Sequence, residues 1–118
     1  LYSVVNSRNG IVKNIIKNTY YGCCMLFKKI ILDKVLPIPE NKEIGHDLWV
    51  GLISEKYYKV KFINEKLLYF RRHSSNITSI NKSKRSIKTK ITGRYIILKE
   101  LVKRFRKIKK ETVIKRKI

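Results

Sequence analysis

Acidic side chains, cysteines and long apolar runs are scarce in this sequence, and each scarcity excludes a class of protein. Eight Asp and Glu oppose 29 Lys and Arg, which gives a formal net charge of +21. No apolar run approaches the ~20 residues that a membrane-spanning helix needs, and no signal peptide opens the chain. We therefore expect a cytoplasmic protein that carries no membrane-spanning helix.

Cysteine chemistry is restricted to one adjacent pair, Cys23 and Cys24. Neighbouring side chains of an extended segment point to opposite faces, so we expect no structural disulfide. Neither thiol has the spacing of a zinc ligand relative to His46 or His73. A zinc cage built from these four residues is therefore not predicted.

Positive charge is concentrated towards the end of the chain. Residues 1–81 carry thirteen basic and six acidic side chains, whereas residues 82–118 carry sixteen basic and two acidic ones. Such a block favours polyanions: nucleic acid, anionic lipid headgroups or phosphorylated substrates. Abundant Lys, Asn and Ile are also typical of an AT-rich genome, so this interpretation and the functional one both stay open.

The 118 residues, 43% of them hydrophobic, suffice for one compact unit or part of a larger one. Because the chain begins at Leu1 in mid-pattern, we expect further sequence upstream. We divide it into a core portion, residues 1–81, and a basic tail, residues 82–118. No internal repeat is visible.

Local patterns predict alternating elements in the core portion. Apolar residues at helical spacing between positions 11 and 16 indicate a short helix or an ordered loop. The run YYGCCMLF, Tyr20 to Phe27, is typical of a strand buried on both faces. Lys28 to Val35 predicts a short helix that ends before Pro37.

The second half of the core portion continues the alternation. Ile44 to Tyr57 predicts an amphipathic helix with Asp47 in its first turn. Two strands are predicted at Val60 to Ile63 and Lys66 to Phe70, followed by a loop. The expected fold class is α/β, with few strands and a sheet that the upstream part would complete.

The basic tail predicts a long amphipathic helix, weakened at Gly93 and frayed over its last dozen residues. Its apolar residues step by three or four: Ile87, Ile91, Tyr95, Leu98, Val102 and Phe105. Such a helix can lie on an anionic membrane surface or pack back on its own core, and both interpretations stay open.

Four local motifs follow one another in a characteristic order. They are G-C-C-M at 22–25, L-P-I-P-E at 36–40, G-H-D-L-W at 45–49 and F-R-R-H-S-S-N at 70–76. Over residues 20–78 this order resembles the second half of family 2 glycosyltransferases, notably rhamnosyltransferase-like bacterial enzymes. The resemblance implies a partial GT-A fold comprising the acceptor-side half of the enzyme.

The resemblance assigns the general base of an inverting transferase to Asp47. A carboxylate near an acceptor hydroxyl can remove its proton as the hydroxyl oxygen attacks the anomeric carbon of the donor sugar. An Asp in the first turn of a helix also keeps its charge there, because free amides and the helix dipole stabilise the anion. The same position is common in helix capping, which is the alternative for Asp47.

For the donor, the resemblance implies a UDP- or dTDP-sugar and a divalent metal, Mn²⁺ or Mg²⁺. It places His73 on the metal and Arg71 and Arg72 near the pyrophosphate, where planar guanidinium groups suit phosphate oxygens. An Asp-x-Asp motif would supply the remaining ligands, and this sequence has none. The alternative is a basic loop, with His73 an ordinary loop histidine.

For the acceptor, a glycan or lipid-linked sugar, the resemblance implies contacts with Gly22, His46 and Trp49. Gly22 would let substrate approach the backbone, or would simply mark a bulge. Trp49 would stack on a sugar or serve the core. His46 would orient Asp47 or merely pack.

The sequence thus predicts part of a transferase of cell-surface polysaccharide synthesis, peripheral at the inner face of the cell membrane. We expect the 118 residues alone to be inactive. The alternative is a basic nucleic-acid-binding module without catalytic activity, suggested by the charge and by aromatics among the lysines.

Overall fold

A computed structural model describes residues 8–65, 67–69 and 86–117. Four α-helices lie within them: α1 (Ile11–Ile16), α2 (Leu32–Val35), α3 (His46–Tyr57) and α4 (Ile87–Lys117). Two single 3-10 turns, Gly22–Cys24 and Lys29–Ile31, lie between α1 and α2. The second turn runs directly into α2, which ends at Val35, before Leu36 and Pro37, as predicted.

Helix α3 is the centre of the described structure. Seven consecutive residues, Leu48 to Ser54, are buried, so this helix is covered on every side rather than on one face. Helices α1 and α2 both pack against it. The predicted helix at this position is present, but it is a central helix instead of an amphipathic surface one.

Helix α4 joins the same core through one of its faces. Ile97 and Leu101 are buried among the residues of α1 and α3, and Phe105 meets Tyr57 edge to face with ring centroids 5.9 Å apart. The helix continues to Lys117, past the point where fraying was predicted. At ~1.5 Å per residue, its 31 residues extend over ~46 Å.

The predicted α/β fold, and with it the partial GT-A fold, is wrong for the residues that the structure describes, because all their regular elements are helical. The Tyr20–Phe27 run is extended at Tyr21 and Met25 but is interrupted by the turn at Gly22–Cys24. Only Tyr20 of this run is buried. A strand needs a neighbour for its backbone hydrogen bonds, and no described segment supplies one.

The other two predicted strands fail for the same reason. Val60 to Ile63 and Leu67 to Tyr69 form no ladder within the described residues, while Lys66 and Phe70 lie outside them. The boundary drawn between residues 81 and 82 also lies outside. In the part of the chain that is described, no helix combines the length and apolar character needed to cross a membrane.

Candidate functional site

The first turn of α3 meets the 3-10 turn at Gly22–Cys24. A Cβ placed on Gly22 would lie 3.2 Å from Nε2 of His46 and 3.9 Å from Cβ of Asp47. More than twenty residues separate Gly22 from His46 in the sequence. The fold therefore brings Gly22, His46 and Asp47 together in one surface, which we call the α3 entrance.

Asp47 lies half-buried at the second position of α3. Its Oδ1 accepts the backbone N–H of Leu48 at 2.7 Å, one of the amides that the start of a helix leaves without an intrahelical partner. No other hydrogen bond from a described residue reaches this carboxylate. The α3 entrance therefore presents a carboxylate that can accept further hydrogen bonds.

Gly45, directly before α3, is a positioning residue that sequence reasoning missed. It is the N-cap of the helix and has no side chain with which to cap it. A Cβ on Gly45 would lie 2.7 Å from Oδ1 of Asp47. The missing side chain gives the Asp47 carboxylate room to fold back over the helix terminus. The available signal was a glycine at the start of the predicted helix, two residues before Asp47.

The imidazole of His46 is exposed beside Asp47. Its Nε2 borders the space that a side chain at Gly22 would occupy. Because Gly22 has no side chain, the His46 imidazole has room beside it. An imidazole can hydrogen-bond a hydroxyl group, and a carboxylate can accept its proton.

Trp49, predicted as an acceptor contact or a core residue, lies in the core with 1% of its surface exposed. Its indole N–H donates to the carbonyl of Val35 at 2.9 Å. The guanidinium of Arg104 lies 5.7 Å from the ring centroid. Trp49 thus ties α3 to the end of α2 and to α4, and its ring is not offered at the α3 entrance.

Arg71, Arg72 and His73, predicted for the pyrophosphate and the metal, lie outside the described residues. Across the described ranges, no group of three His, Cys, Asp or Glu side chains is placed to hold a metal ion. The α3 entrance itself offers two donors, one imidazole and one carboxylate. These two donors do not make a metal site by themselves.

Two free thiols follow Gly22 on the same turn. The sulfur atoms of Cys23 and Cys24 lie 3.7 Å apart, so the turn brings together side chains that an extended segment would have separated. Partial burial and the neighbouring Cys23 thiol raise the pKa of Cys24. Sequence reasoning did not link these thiols to the site, although they directly follow Gly22 in the sequence.

Two depressions of the described structure lie away from the α3 entrance. A depression of about 160 Å³ is bordered by Pro39, Trp49 and the α4 residues Glu100, Lys103, Arg104 and Lys107. A second, of about 390 Å³, runs along α4 from Lys103 to Ile114. Neither includes Asp47. Both depressions are open and are bordered by several cations. The α3 entrance is the candidate site because of its side-chain chemistry, and not because of a depression of large volume.

Comparison with known proteins finds no matching family model, no match among curated proteins and no matching solved structure. The residues of the α3 entrance are therefore the basis for inferring a function.

Proposed function

We propose that this chain supplies the acceptor side of an inverting glycosyltransferase, with Asp47 as the general base. The convergence of Gly22, His46 and Asp47 supports the proposal. These residues come from two of the four motifs that resemble the transferase family, and they meet although the chain lacks the expected strands in its described part. The proposal rests on this site and not on an α/β fold.

The proposed reaction sets two requirements for Asp47. It must be charged before the reaction, and it must be able to accept a proton from the acceptor hydroxyl as that oxygen bonds to the anomeric carbon. Within the described residues the Asp47 carboxylate accepts a single hydrogen bond, from Leu48, so it has lone pairs left for the acceptor hydroxyl.

The proposed reaction forms one bond, breaks one bond and transfers one proton. The acceptor oxygen forms its bond to the anomeric carbon from the face opposite the leaving group, the bond to the nucleoside diphosphate breaks, and the proton resides on Asp47. His46, exposed beside the carboxylate, would hydrogen-bond the acceptor hydroxyl and orient it. The sugar configuration inverts because a single displacement occurs.

The donor would bind through groups beyond the α3 entrance. In this proposal Arg71 and Arg72 hold the pyrophosphate of a UDP- or dTDP-sugar, and His73 joins further ligands around Mn²⁺ or Mg²⁺. The metal would neutralise charge on the departing diphosphate. The acceptor would be a glycan or lipid-linked sugar at the cytoplasmic face of the cell membrane.

Release of nucleoside diphosphate tests the proposal. The complete protein that carries this chain is incubated with UDP- and dTDP-sugars and a membrane extract rich in glycan acceptors. We expect acceptor-dependent release of UDP or dTDP, loss of release in EDTA and recovery with Mn²⁺. The isolated 118 residues serve as the control and should be inactive. No release from any donor, with metal and acceptor present, contradicts the proposal.

A further inference from the structure

Helix α4 carries two apolar stripes, and only one of them is covered. Ile97, Leu101 and Ile108 are buried, with Phe105 partly buried beside them. A second stripe stands about a quarter turn away around the helix. Its side chains are exposed: Ile87 by 76%, Ile91 by 64%, Tyr95 by 65%, Leu98 by 48% and Val102 by 45%.

This second stripe, which we call the outer stripe, is continuous. Its members step by four, four, three and four residues, so they follow one side of the helix. From Ile87 to Val102 it extends over ~22 Å at ~1.5 Å per residue. Five aligned aliphatic and aromatic side chains in water form a patch of the kind that marks an interaction surface.

The charges of α4 are distributed asymmetrically around the outer stripe. Taken at 100° per residue, Lys88, Lys99 and Arg106 border its solvent side, and all three are exposed. The only two acidic residues of the helix, Glu100 and Glu111, fall on the opposite side. The surface therefore presents apolar side chains edged by cations alone.

We propose that the outer stripe of α4 is a membrane-docking face that lies in the headgroup region of an anionic bilayer. Apolar side chains enter the acyl boundary while Lys88, Lys99 and Arg106 meet lipid phosphates. The proposal is independent of the transferase activity. Membrane contact and packing on the core, the two interpretations of this helix, are then compatible. Helix α4 packs on the core through its buried stripe and leaves the outer stripe exposed.

Two other occupants fit the surface less well. A second copy of this chain would bring two cation-edged stripes together, and like charges in an interface repel. Nucleic acid would satisfy the cations but would leave the middle of the patch, five apolar side chains, against phosphate and water. An anionic lipid surface complements both the charges and the apolar side chains.

Vesicle co-sedimentation of the full chain tests the docking face. Vesicles of phosphatidylcholine mixed with phosphatidylglycerol are compared with pure phosphatidylcholine. We expect binding to the anionic vesicles only, weakened by added salt. The variant Ile87→Ser, Ile91→Ser, Leu98→Ser should bind about tenfold or more weakly, because three inserted side chains are lost.

The matched control removes three comparably exposed apolar side chains outside α4: Leu26→Ser, Ile30→Ser and Ile63→Ser. This variant should bind like the parent chain. Circular dichroism establishes that both variants remain helical. Equal binding by the α4 variant and the parent overturns the proposal, as does equal binding to neutral vesicles. Binding of the parent chain to RNA but not to anionic vesicles also overturns the proposal.

Fluorescence locates the contact independently of affinity. Tyr95→Trp places an indole in the outer stripe, while Trp49 stays buried and contributes a constant background. Its emission should shift to the blue with anionic vesicles. Tyr69→Trp, at a fully exposed site outside α4, should not shift. An unshifted Tyr95→Trp spectrum under conditions of full sedimentation overturns the assignment to this stripe.

Discussion

At the scale of single residues, Glu55 organises the polar contacts around α1. Its two carboxylate oxygens accept the backbone N–H of Gly10 at 3.0 and 2.9 Å, and one of them also accepts the hydroxyl of buried Tyr20. Asn14, fully buried, bonds the backbone of α1 and the hydroxyl of Thr19. These bonds hold α1 against α3, and each satisfies a polar group that would otherwise be buried without a partner.

Tyr20 should make folding sensitive to alkali. Burial, followed by its hydrogen bond to Glu55, raises the pKa of Tyr20 far above the ordinary tyrosine value. In the unfolded chain Tyr20 ionises near pH 10, so its contribution to stability is complete below that pH and is lost above it. By about pH 11 the loss should reach about 1.4 kcal/mol of the free energy of unfolding.

Urea denaturation of the parent and of Tyr20→Phe at about pH 8 and about pH 11 measures this effect. The difference in unfolding free energy between the two proteins cancels the titration of lysines and of the other tyrosines. It should favour the parent by about 1 kcal/mol at the lower pH, through the hydroxyl bond, and should reverse or vanish at the higher pH. A pH-independent difference contradicts the raised pKa.

Parts of this residue-scale chemistry are readable from the sequence and parts are not. Asp47 in a first helical turn follows from local pattern, because both the helix and its N-terminus are local features. The pairing of Tyr20 with Glu55 spans 35 residues and carries no local signature. The burial of Trp49 likewise depends on α2 and α4, which residue type alone does not reveal.

At the scale of elements, two helical glycines have opposite consequences. A Cβ on Gly51, in the middle of α3, would lie 2.3 Å from the ring of Tyr20, which is buried and cannot yield. A Cβ on Gly93, in α4, would lie 2.7 Å from Oε2 of Glu43, the far end of a flexible side chain. Close packing thus requires glycine at position 51 and tolerates a larger residue at position 93.

We therefore expect Gly51→Ala to lower the free energy of unfolding by about 1–3 kcal/mol, through overpacking. Gly93→Ala should raise it by as much as about 1 kcal/mol, because alanine is the better helix former. Urea denaturation of both variants measures these changes. The two substitutions are chemically identical, so each serves as the control for the other. Changes of the same sign and size contradict the packing described around α3.

The difference between local and long-range interactions explains which elements the sequence predicts correctly. Helices α3 and α4 follow from apolar spacing, which is a property of one segment. The predicted strands fail because a strand depends on a neighbour, and apolar, β-branched residues such as those of Val60 to Ile63 only indicate that pairing is possible. In α4, two adjacent stripes compete for the core, and the spacing of Ile87 to Val102 does not reveal which one is covered.

At the scale of the whole molecule, a small helical core presents two chemically distinct surfaces. The α3 entrance brings the Asp47 carboxylate and the His46 imidazole together beside Gly22, and the two free thiols follow Gly22 on the same turn. The outer stripe of α4 is apolar and edged by cations. The excess of positive charge is concentrated in residues 82–118, whereas the α3 entrance is formed by residues 22, 46 and 47, so the net charge says little about the chemistry of the α3 entrance.

The central claim is that Asp47 removes a proton during sugar transfer. The most direct measurement is the single-turnover rate of transfer in the complete protein with Asp47→Asn, beside Asp33→Asn. Asp33, exposed in α2, is the only other aspartate in the chain, so the control loses the same charge elsewhere. We predict a fall of roughly 10²–10⁴-fold for Asp47→Asn with donor affinity unchanged, and a normal rate for Asp33→Asn. A rate for Asp47→Asn within a few-fold of the parent would contradict the account.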